Sequence, residues 1–552
     1  MNALFFAFRF FLIASVLIAS LCTGDRLAGG GTIETTNGRV TGMVVFPNGN
    51  PAPRSQVALI PEGYNPVTDT VTISVDTTDD SGHYVFEGVE YGAYAIQSVH
   101  CIERTRAIAF GIRMNQGDLT VDSLTLQRPG AVKVMLPAGA SGANAYVYVP
   151  GSDILERIQA SGDSVILDSV PAGKLPSVNY LHGNDAPSSV IRYDVQVYSG
   201  DTVAILNPSW RYARSITLNT TPSGADVRGN VTAFPALIRL THDNFDFSHA
   251  QRGGGDIRFT KTDNTPLPYE IERWDPVTEH AEVWVRIDTV HGNNNAQSIM
   301  LYWGNALAAA AASGPAVFDT AASKGGFQGV WHMGQAGNTL AKDATINGYD
   351  GTPFNMTAAS AVTGMIGIAQ EFDGTSSYIQ MRNTSGGKLN FQENGYYSVS
   401  AWVQCNTSNL TQFVAGKGHE QYYLKFNLNI GWEFVEWKDK SGPQITSSPL
   451  PEIKTWKYLV GVRNGTSQEL YVDGMRIDST IYDFPDTTPR NSQSDFSIGA
   501  YLAYVLTTEV NEGYCFFNGK IDEVRVSNSI PSADWIKLCC MNQRTPDVLI
   551  AW

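Results

Sequence analysis

Four charged side chains crowd one short apolar run near the end of the chain. FFNGKIDEVRVSN, residues 516–528, carries Lys520, Asp522, Glu523 and Arg525. Adjacent acids with a base two residues on suit proton transfer, cation binding or a structural charge pair. Side chains alternate between the faces of a strand, so Asp522, Val524 and Val526 are expected on one face and Ile521, Glu523 and Arg525 on the other. The valines would fill a core, and Glu523 and Arg525 would form a cross-strand charge pair. Asp522 would point with the valines, where an unpaired carboxylate is costly, so it calls for a hydrogen-bonded cap or a calcium ion. A second acidic stretch, WEFVEWKD (432–439), has Glu433 and Glu436 three apart, hence on opposite faces. They cannot form the carboxylate pair, roughly 5 to 9.5 Å apart, that glycoside hydrolysis places across one bond. Each is expected as a surface acid.

Other chemistry is sparse. No G-x-S-x-G elbow, HExxH pair or phosphate-binding loop occurs. RGGGDIR (252–258) reads as a loop, and the nine histidines are scattered without metal spacing. Six cysteines include no CxxC pair. No catalytic residue emerges, and the chain is not read as an enzyme. DATINGYDG (343–351) offers Asp343, Asn347 and Asp350 around a glycine, oxygen ligands of the kind calcium takes, or a set of Asx turns. Tyr422, Tyr423, Trp432 and Trp437 could stack on sugar faces, as could the segment YLAYV (501–505), with core packing as the alternative.

The elements that must position these residues are strands. With 552 residues the chain exceeds one core, and its many glycines and low charged fraction of 16% suit turn-rich β domains. A formal net charge of −15 without a basic stripe argues against nucleic acid. The N-terminal MNALFFAFRFFLIASVLIASLC reads as a signal peptide over residues 1–22, with an uncleaved anchor as the rival. Cys22 stands where a bacterial lipoprotein carries its lipidated cysteine, although Leu21 is bulkier than usual there. Residues 23–37 form a polar tether. Export to the cell surface or medium follows, with membrane contact only through that terminus. Residues 128–205 echo the preceding module: VALIPEG (57–63) matches VYVPGSD (147–153), and YVFEGVEYGAYAIQSV (84–99) matches VILDSVPAGKLPSVNY (165–180).

Three resemblances organise the chain. Residues 38–127, with G-x-V-x-G, the Pro-bearing turn, T-x-x-D-x-G-x-Y-x-F and G-x-Y, resemble the carboxypeptidase regulatory-like (prealbumin-like) β-sandwich. Residues 206–305 resemble a bacterial domain of unknown function, number 2341. The match rests on Trp210 and Tyr212, Pro235–Leu240, Gly254–Phe259, Leu267–Trp274, Val283–Val285 and Tyr302–Asn305. An Ala/Gly/Ser-rich linker is expected over 306–328. Residues 329–552, with F-D-G, S-x-S-A-W-V, L-Y-V-D-G, S-I-G and N-G-x-I-D-E-V-R, resemble the laminin-G-like, concanavalin A-like lectin/glucanase domain. The resemblances imply an all-β, multi-domain chain: prealbumin-like sandwich modules, then a β-sandwich and a concanavalin A-like jelly roll. They also imply a structural calcium bridging an early loop and the last strand, with Asp522 as the far ligand. A Cys405–Cys515 bridge follows if the strands bearing them pair as in the family. Cys539 and Cys540 would be buried thiols on a short C-terminal helix. The expected function is non-catalytic binding of polysaccharide or another surface protein. The rivals are a hydrolase with a loop-assembled site and a purely structural envelope or appendage component.

Overall fold

The computed structural model describes residues 37–552 except 116, 137–144, 160–163, 183–187, 322–323, 383–386, 392–394, 419–420, 439–441, 482–493 and 506–509. The expected signal peptide, Cys22 and nearly all of the tether lie outside the described residues. Among the described residues no helix is long and apolar enough to cross a membrane. The chain is all-β and forms two compact units, one ending at Arg128 and one running from Pro129 to Trp552.

The first unit is a small two-sheet sandwich. In one sheet Asn37–Val45 pairs antiparallel with His83–Glu90 and parallel with Leu119–Thr120. The other runs Ser74–Thr77, Gln56–Pro61, Gly92–His100, Thr105–Met114. Val40, Val44, Val57, Phe86 and Ile96 fill the space between them. The DDSG turn is closed by Asp79, whose carboxylate accepts the Ser81 and His83 amides, while Gly82 takes a φ of 78° that suits glycine.

The second unit opens with a module of the same strand order. Leu155–Arg157, Ala145–Tyr148, Gly173–His182 and Ser189–Val197 form one sheet, and Ser164–Val170, Gly130–Met135 and Thr202–Ile205 the other. Its last strand closes parallel to its first, as in the first unit. The two sequence echoes fall on equivalent strands, so the repeat is one of topology as well as of turn chemistry.

Next comes a sandwich of a five-stranded sheet (Pro266–Leu267, Arg258–Lys261, Ser298–Trp303, Tyr212–Leu218, Ile550–Ala551) and a three-stranded one (Val231–Thr241, His280–Val290, Tyr269–Asp275). Val283, Val285 and Ile287 point into its core, as their alternation predicts, and Trp284 emerges on the reverse face against Phe318. The C-terminal residues thus return to complete this sandwich, and Leu549 is fully buried in it. The segment expected as a linker is instead packed. Val317 and Phe318 are fully buried, and Phe327–Trp331 is already a strand, because apolar side chains among the alanines anchor it to Leu237 and Trp284.

The final sandwich faces an eight-stranded sheet against a seven-stranded one. Val399, Ala401 and Val403 point inward. Trp402 points outward, where its indole donates to Gln543 of the helix Ala533–Gln543 at 2.7 Å. That helix and the three-stranded sheet cover the outer face of the eight-stranded sheet, joining the two sandwiches through one apolar cluster that includes Tyr458, Val460, Tyr471, Ile536 and Leu538. The LYVDGMRI turn has Asp473 and Gly474 at φ of 52° and 83°, the D-G pattern of a two-residue hairpin. The expected Cys405–Cys515 bridge is absent, and both thiols are free. Register is the reason: Cys405 sits opposite Gly519, and its buried thiol donates to the Thr407 carbonyl, whereas Cys515 lies in an exposed turn. Cys539 and Cys540 are buried on the C-terminal helix.

Because the C-terminal tail belongs to the middle sandwich, Leu549→Ala is expected to cost about 2–5 kcal/mol in urea unfolding. An unchanged unfolding midpoint would show the tail to be dispensable.

Candidate functional site

The charged run sits on the strand Asn518–Ser527, in the middle of the eight-stranded sheet. Strict alternation fails there. Ser400 lies opposite Arg525 and Trp402 opposite Asp522, so the single residue Ala401 faces two residues. The extra residue is a β-bulge, and Glu523 takes a φ of 49° within it. Ile521, Val524 and Val526 therefore enter the sandwich core, while Asp522, Glu523 and Arg525 all point to the junction with the middle sandwich. The expected grouping of Asp522 with the valines is overturned by this one-residue slip. Glu523 and Arg525 do pair, at 2.7 Å, but along one strand rather than across two.

Glu523 is the hub of a buried polar cluster. One carboxylate oxygen binds the guanidinium of Arg525; the other lies 2.5 Å from His332 Nδ1. The same nitrogen is 3.7 Å from Glu272, and Nε2 is 3.3 Å from Glu270. The Trp284 indole donates to Glu272 at 2.7 Å, and its ring lies 4.4 Å beneath the Arg525 guanidinium carbon. Burial alone would push the His332 pKa down, but Glu523, Glu270 and Glu272 outweigh it and hold the ring well above the usual histidine value. Burial pushes Glu272 up to about 8, with His332 drawing it partly back. Burial, then the Glu523 charge, carries Asp522 well above the usual carboxylate range. Asp522 has its hydrogen-bonded cap, the Ile366 amide at 2.9 Å. A cleft of about 380 Å³, lined by Glu270, Glu272, His332 and Gln335, opens beside the ring. The arrangement can pass a proton between Glu270 and Glu523 through the imidazole. His332, Glu270 and Glu272 did not stand out from sequence alone. The available signal was the i, i+2 spacing of Glu270 and Glu272, which allows two acids to share one strand face.

Among the described residues one group has metal-like spacing, Glu272, His332 and Glu523, with ligand atoms within 4.8 Å of one another. Arg525 donates to one oxygen of Glu523 and the Trp284 indole to one oxygen of Glu272. Of the calcium candidates Asp343, Asn347 and Asp350 share one hydrogen-bonded loop, and Asp522 caps a different one. Asp343 accepts from the Val330, Thr345 and Tyr349 amides and from the Thr345 hydroxyl. Asp350 accepts from Lys342 and the Asp343 amide, and Asn347 donates to the Gln328 carbonyl. These residues form the turn scaffold of their loop, and Asp522 serves a different one.

The second candidate surface is the outer face of the seven-stranded sheet. Tyr422 and Trp432 point inward and are core residues, each 1% exposed, with the Tyr422 hydroxyl donating to the Leu389 carbonyl. The expectation that they meet a ligand is overturned by parity: neighbours 422 and 423 cannot share a face, nor can 432 and 437. Tyr423 and Trp437 point outward, joined by an indole-to-hydroxyl hydrogen bond of 3.1 Å. Phe413 and Tyr501 pack on Tyr423 at ring distances of 5.3 and 6.4 Å, and Tyr514 lies 6.3 Å beyond Tyr501. Past the turn at 515, Phe516 approaches Tyr378, whose ring stacks on Phe354 at 4.8 Å. Aromatic side chains thus run across the sheet from its edge strand Gly351–Phe354 to the strand Gly431–Lys438, with Phe354 and Tyr514 38% and 46% exposed. Glu433 and Glu436 do lie on opposite faces, but neither is a surface acid. Glu433 pairs with Lys425 at 2.8 Å and Glu436 with Arg463 at 3.1 Å, both buried.

Residues 373–537 match the model of the concanavalin A-like lectin/glucanases superfamily, and residues 253–325 match that of domain of unknown function DUF2341. A search of curated proteins finds no match. Among solved structures the chain is similar to domain 4 of AbnA, a GH43 extracellular arabinanase from Geobacillus stearothermophilus in complex with arabinotriose. Identity is 19% over 38% of this chain and 96% of that one, with a TM-score of 0.29. It is also similar to the botulinum neurotoxin serotype C1 binding domain, with 11% identity over 40% of this chain and a TM-score of 0.30. The chain spans about half the length of that toxin domain, 52%.

The junction is expected to weaken in alkali. Glu272 and His332 both have folded pKa values above their unfolded ones, about 4.3 and 6.5. The stability they contribute is present at low pH and lost as pH rises through the folded values, which for Glu272 is about 8. Each pH unit of that window costs up to about 1.4 kcal/mol per titrating group. Urea midpoints measured from pH 6 to 9 should fall, and Glu272→Gln should flatten the slope. An identical slope in the variant would refute the assignment. Glu523→Ala, which strands two buried cations, should cost about 3–5 kcal/mol.

Proposed function

We propose that this chain is a non-catalytic, exported binding protein whose concanavalin A-like domain holds polysaccharide on the aromatic band of its seven-stranded sheet. The two repeated sandwich modules act as a spacer that carries it at the cell surface. The band itself is the supporting observation. A sugar ring offers an apolar C–H face that stacks on an aromatic ring, and its hydroxyls take hydrogen bonds from polar neighbours. Trp437, Tyr501 and Tyr514 supply rings with polar tips, packed over the buried Tyr423, and the line continues through Phe516, Tyr378 and Phe354. A band crossing several strands suits an extended chain better than a single sugar. The family match to lectins and glucanases over residues 373–537 supports the same reading. So does the placement of the strand acids: Glu433, Glu436 and Glu523 are buried against Lys425, Arg463 and Arg525.

Glycan-array binding of the intact chain tests the proposal. Trp437→Ala and Tyr501→Ala are each expected to weaken binding by roughly 0.5–1.5 kcal/mol, about two- to tenfold, with folding intact. Chelator should leave binding unchanged, since the loop acids already have protein partners. Trp432→Ala, by contrast, should unfold the domain, at about 3–5 kcal/mol. Release of product from any bound polysaccharide would overturn the non-catalytic reading; band variants that bind normally would move the site elsewhere.

A further inference from the structure

Three side chains of ligand type meet at the seam, each from a different stretch of chain. Glu272 stands on the strand Tyr269–Asp275 of the middle sandwich, His332 follows the strand Phe327–Trp331, and Glu523 lies on Asn518–Ser527. His332 Nδ1 is 2.5 Å from Glu523 and 3.7 Å from Glu272. An imidazole between two carboxylates is a donor set for a zinc-type divalent ion and a poor one for calcium, which takes about six to eight oxygens. The outer side of every ligand is already held, the arrangement that orients metal ligands. Glu270 faces Nε2 at 3.3 Å, which fixes the ring proton there and turns the Nδ1 lone pair toward the two acids. Arg525 holds the far oxygen of Glu523, and the Trp284 indole donates to Glu272. Charge points the same way. Three carboxylates, Glu270, Glu272 and Glu523, surround two cations, His332 and Arg525, so one negative charge is left over. A divalent ion in place of the Nδ1 proton cancels it. Glu272 and His332 line the cleft of about 380 Å³, which gives the ion a way in and leaves a fourth position for water.

We propose that Glu272, His332 Nδ1 and Glu523 bind one zinc-type divalent ion, which clamps the middle sandwich to the final one. Zinc bonds of about 2.0–2.2 Å at tetrahedral angles set ligand atoms roughly 3.3 Å apart. Glu272 already stands near that distance from Nδ1. The closer Glu523 pair is drawn together by the proton it shares, and it opens by roughly 0.8 Å when the ion displaces that proton.

Calorimetric titration of the full chain, stripped with chelator and dialysed, tests this. It should take up one Zn²⁺ per chain, and Ca²⁺ and Mg²⁺ about a hundredfold more weakly or worse. Added zinc should raise the melting temperature, because the three ligands come together only in the folded seam. X-ray absorption at the zinc edge of the unaltered chain should show one imidazole among oxygen ligands. Glu272→Gln, which keeps an acceptor for the indole, and His332→Gln should each weaken zinc about tenfold or more and lose the thermal response. The exposed pairs His242–Asp243 and His249–Asp246 are the competing surface sites. His242→Ala with His249→Ala should bind zinc as the unaltered chain does; zinc that follows those histidines is an adventitious ion only and overturns the site. So would no uptake, equal uptake of Ca²⁺, a spectrum without imidazole, or uptake unchanged in both ligand variants. Glycan binding should be the same with and without zinc, since the aromatic band and Glu523 belong to different sheets, so either proposal can fail alone.

Discussion

The contact on which the second unit depends is the buried carboxylate of Glu523, held between Arg525 on its own strand and His332, which follows the strand Phe327–Trp331. An isolated buried charge is prohibitively costly, and this one is tolerable only because both oxygens are matched. The match exists because a single bulge residue turns Glu523 outward at the seam between two sandwiches. Around it the seam becomes continuous: Trp284 under the guanidinium, Phe318 beside it, and the C-terminal helix over the outer face of the sheet. The two sandwiches accordingly share one core, and the tail that leaves the second completes a sheet of the first.

That seam also decides which surface is left for a ligand. A sandwich has two outer faces, and here the outer face of the eight-stranded sheet is occupied by helix and neighbouring sheet. On the outer face of the seven-stranded sheet aromatic side chains collect, Phe413 and Tyr423 buried against Tyr501 of a two-stranded hairpin and Phe354 and Tyr514 exposed. Core-facing positions of its strands are no less aromatic, as Tyr422, Phe426, Trp432 and Phe434 show. Parity decides which cluster each ring joins, and Phe413 and Tyr423 are packed even on the outer side.

Architecture was largely legible in the sequence, because alternation, D-G and DDSG turns and repeated phrases are local signals that sandwich folds preserve. Val399, Ala401 and Val403 lie where alternation puts them, and so do Val283, Val285 and Ile287. The site was less legible for two physical reasons. A bulge leaves no mark in composition, so strict alternation puts Asp522 on the wrong face. Long-range pairing leaves none either: Glu272, His332 and Glu523 come from three distant stretches, and nothing in any one of them announces the others. The Cys405–Cys515 expectation failed similarly, on a register that only the paired strands define.

The acids of this chain make the case against reading charge as chemistry. From the sequence Glu433 and Glu436 read as surface acids, Glu523 as half of a charge pair and Asp343 as a calcium ligand or Asx turn. In the fold each is engaged by protein: a lysine, two arginines and a ring of amides. Such carboxylates stabilise a seam or a loop by the same hydrogen bonds that remove them from solution. Glu270 is the exception, 18% exposed on the cleft beside His332, and it bonds the ring from the cleft side while Glu523 bonds it from within. Two carboxylates on opposite nitrogens of one imidazole are placed to share its protons, not to flank a glycosidic bond.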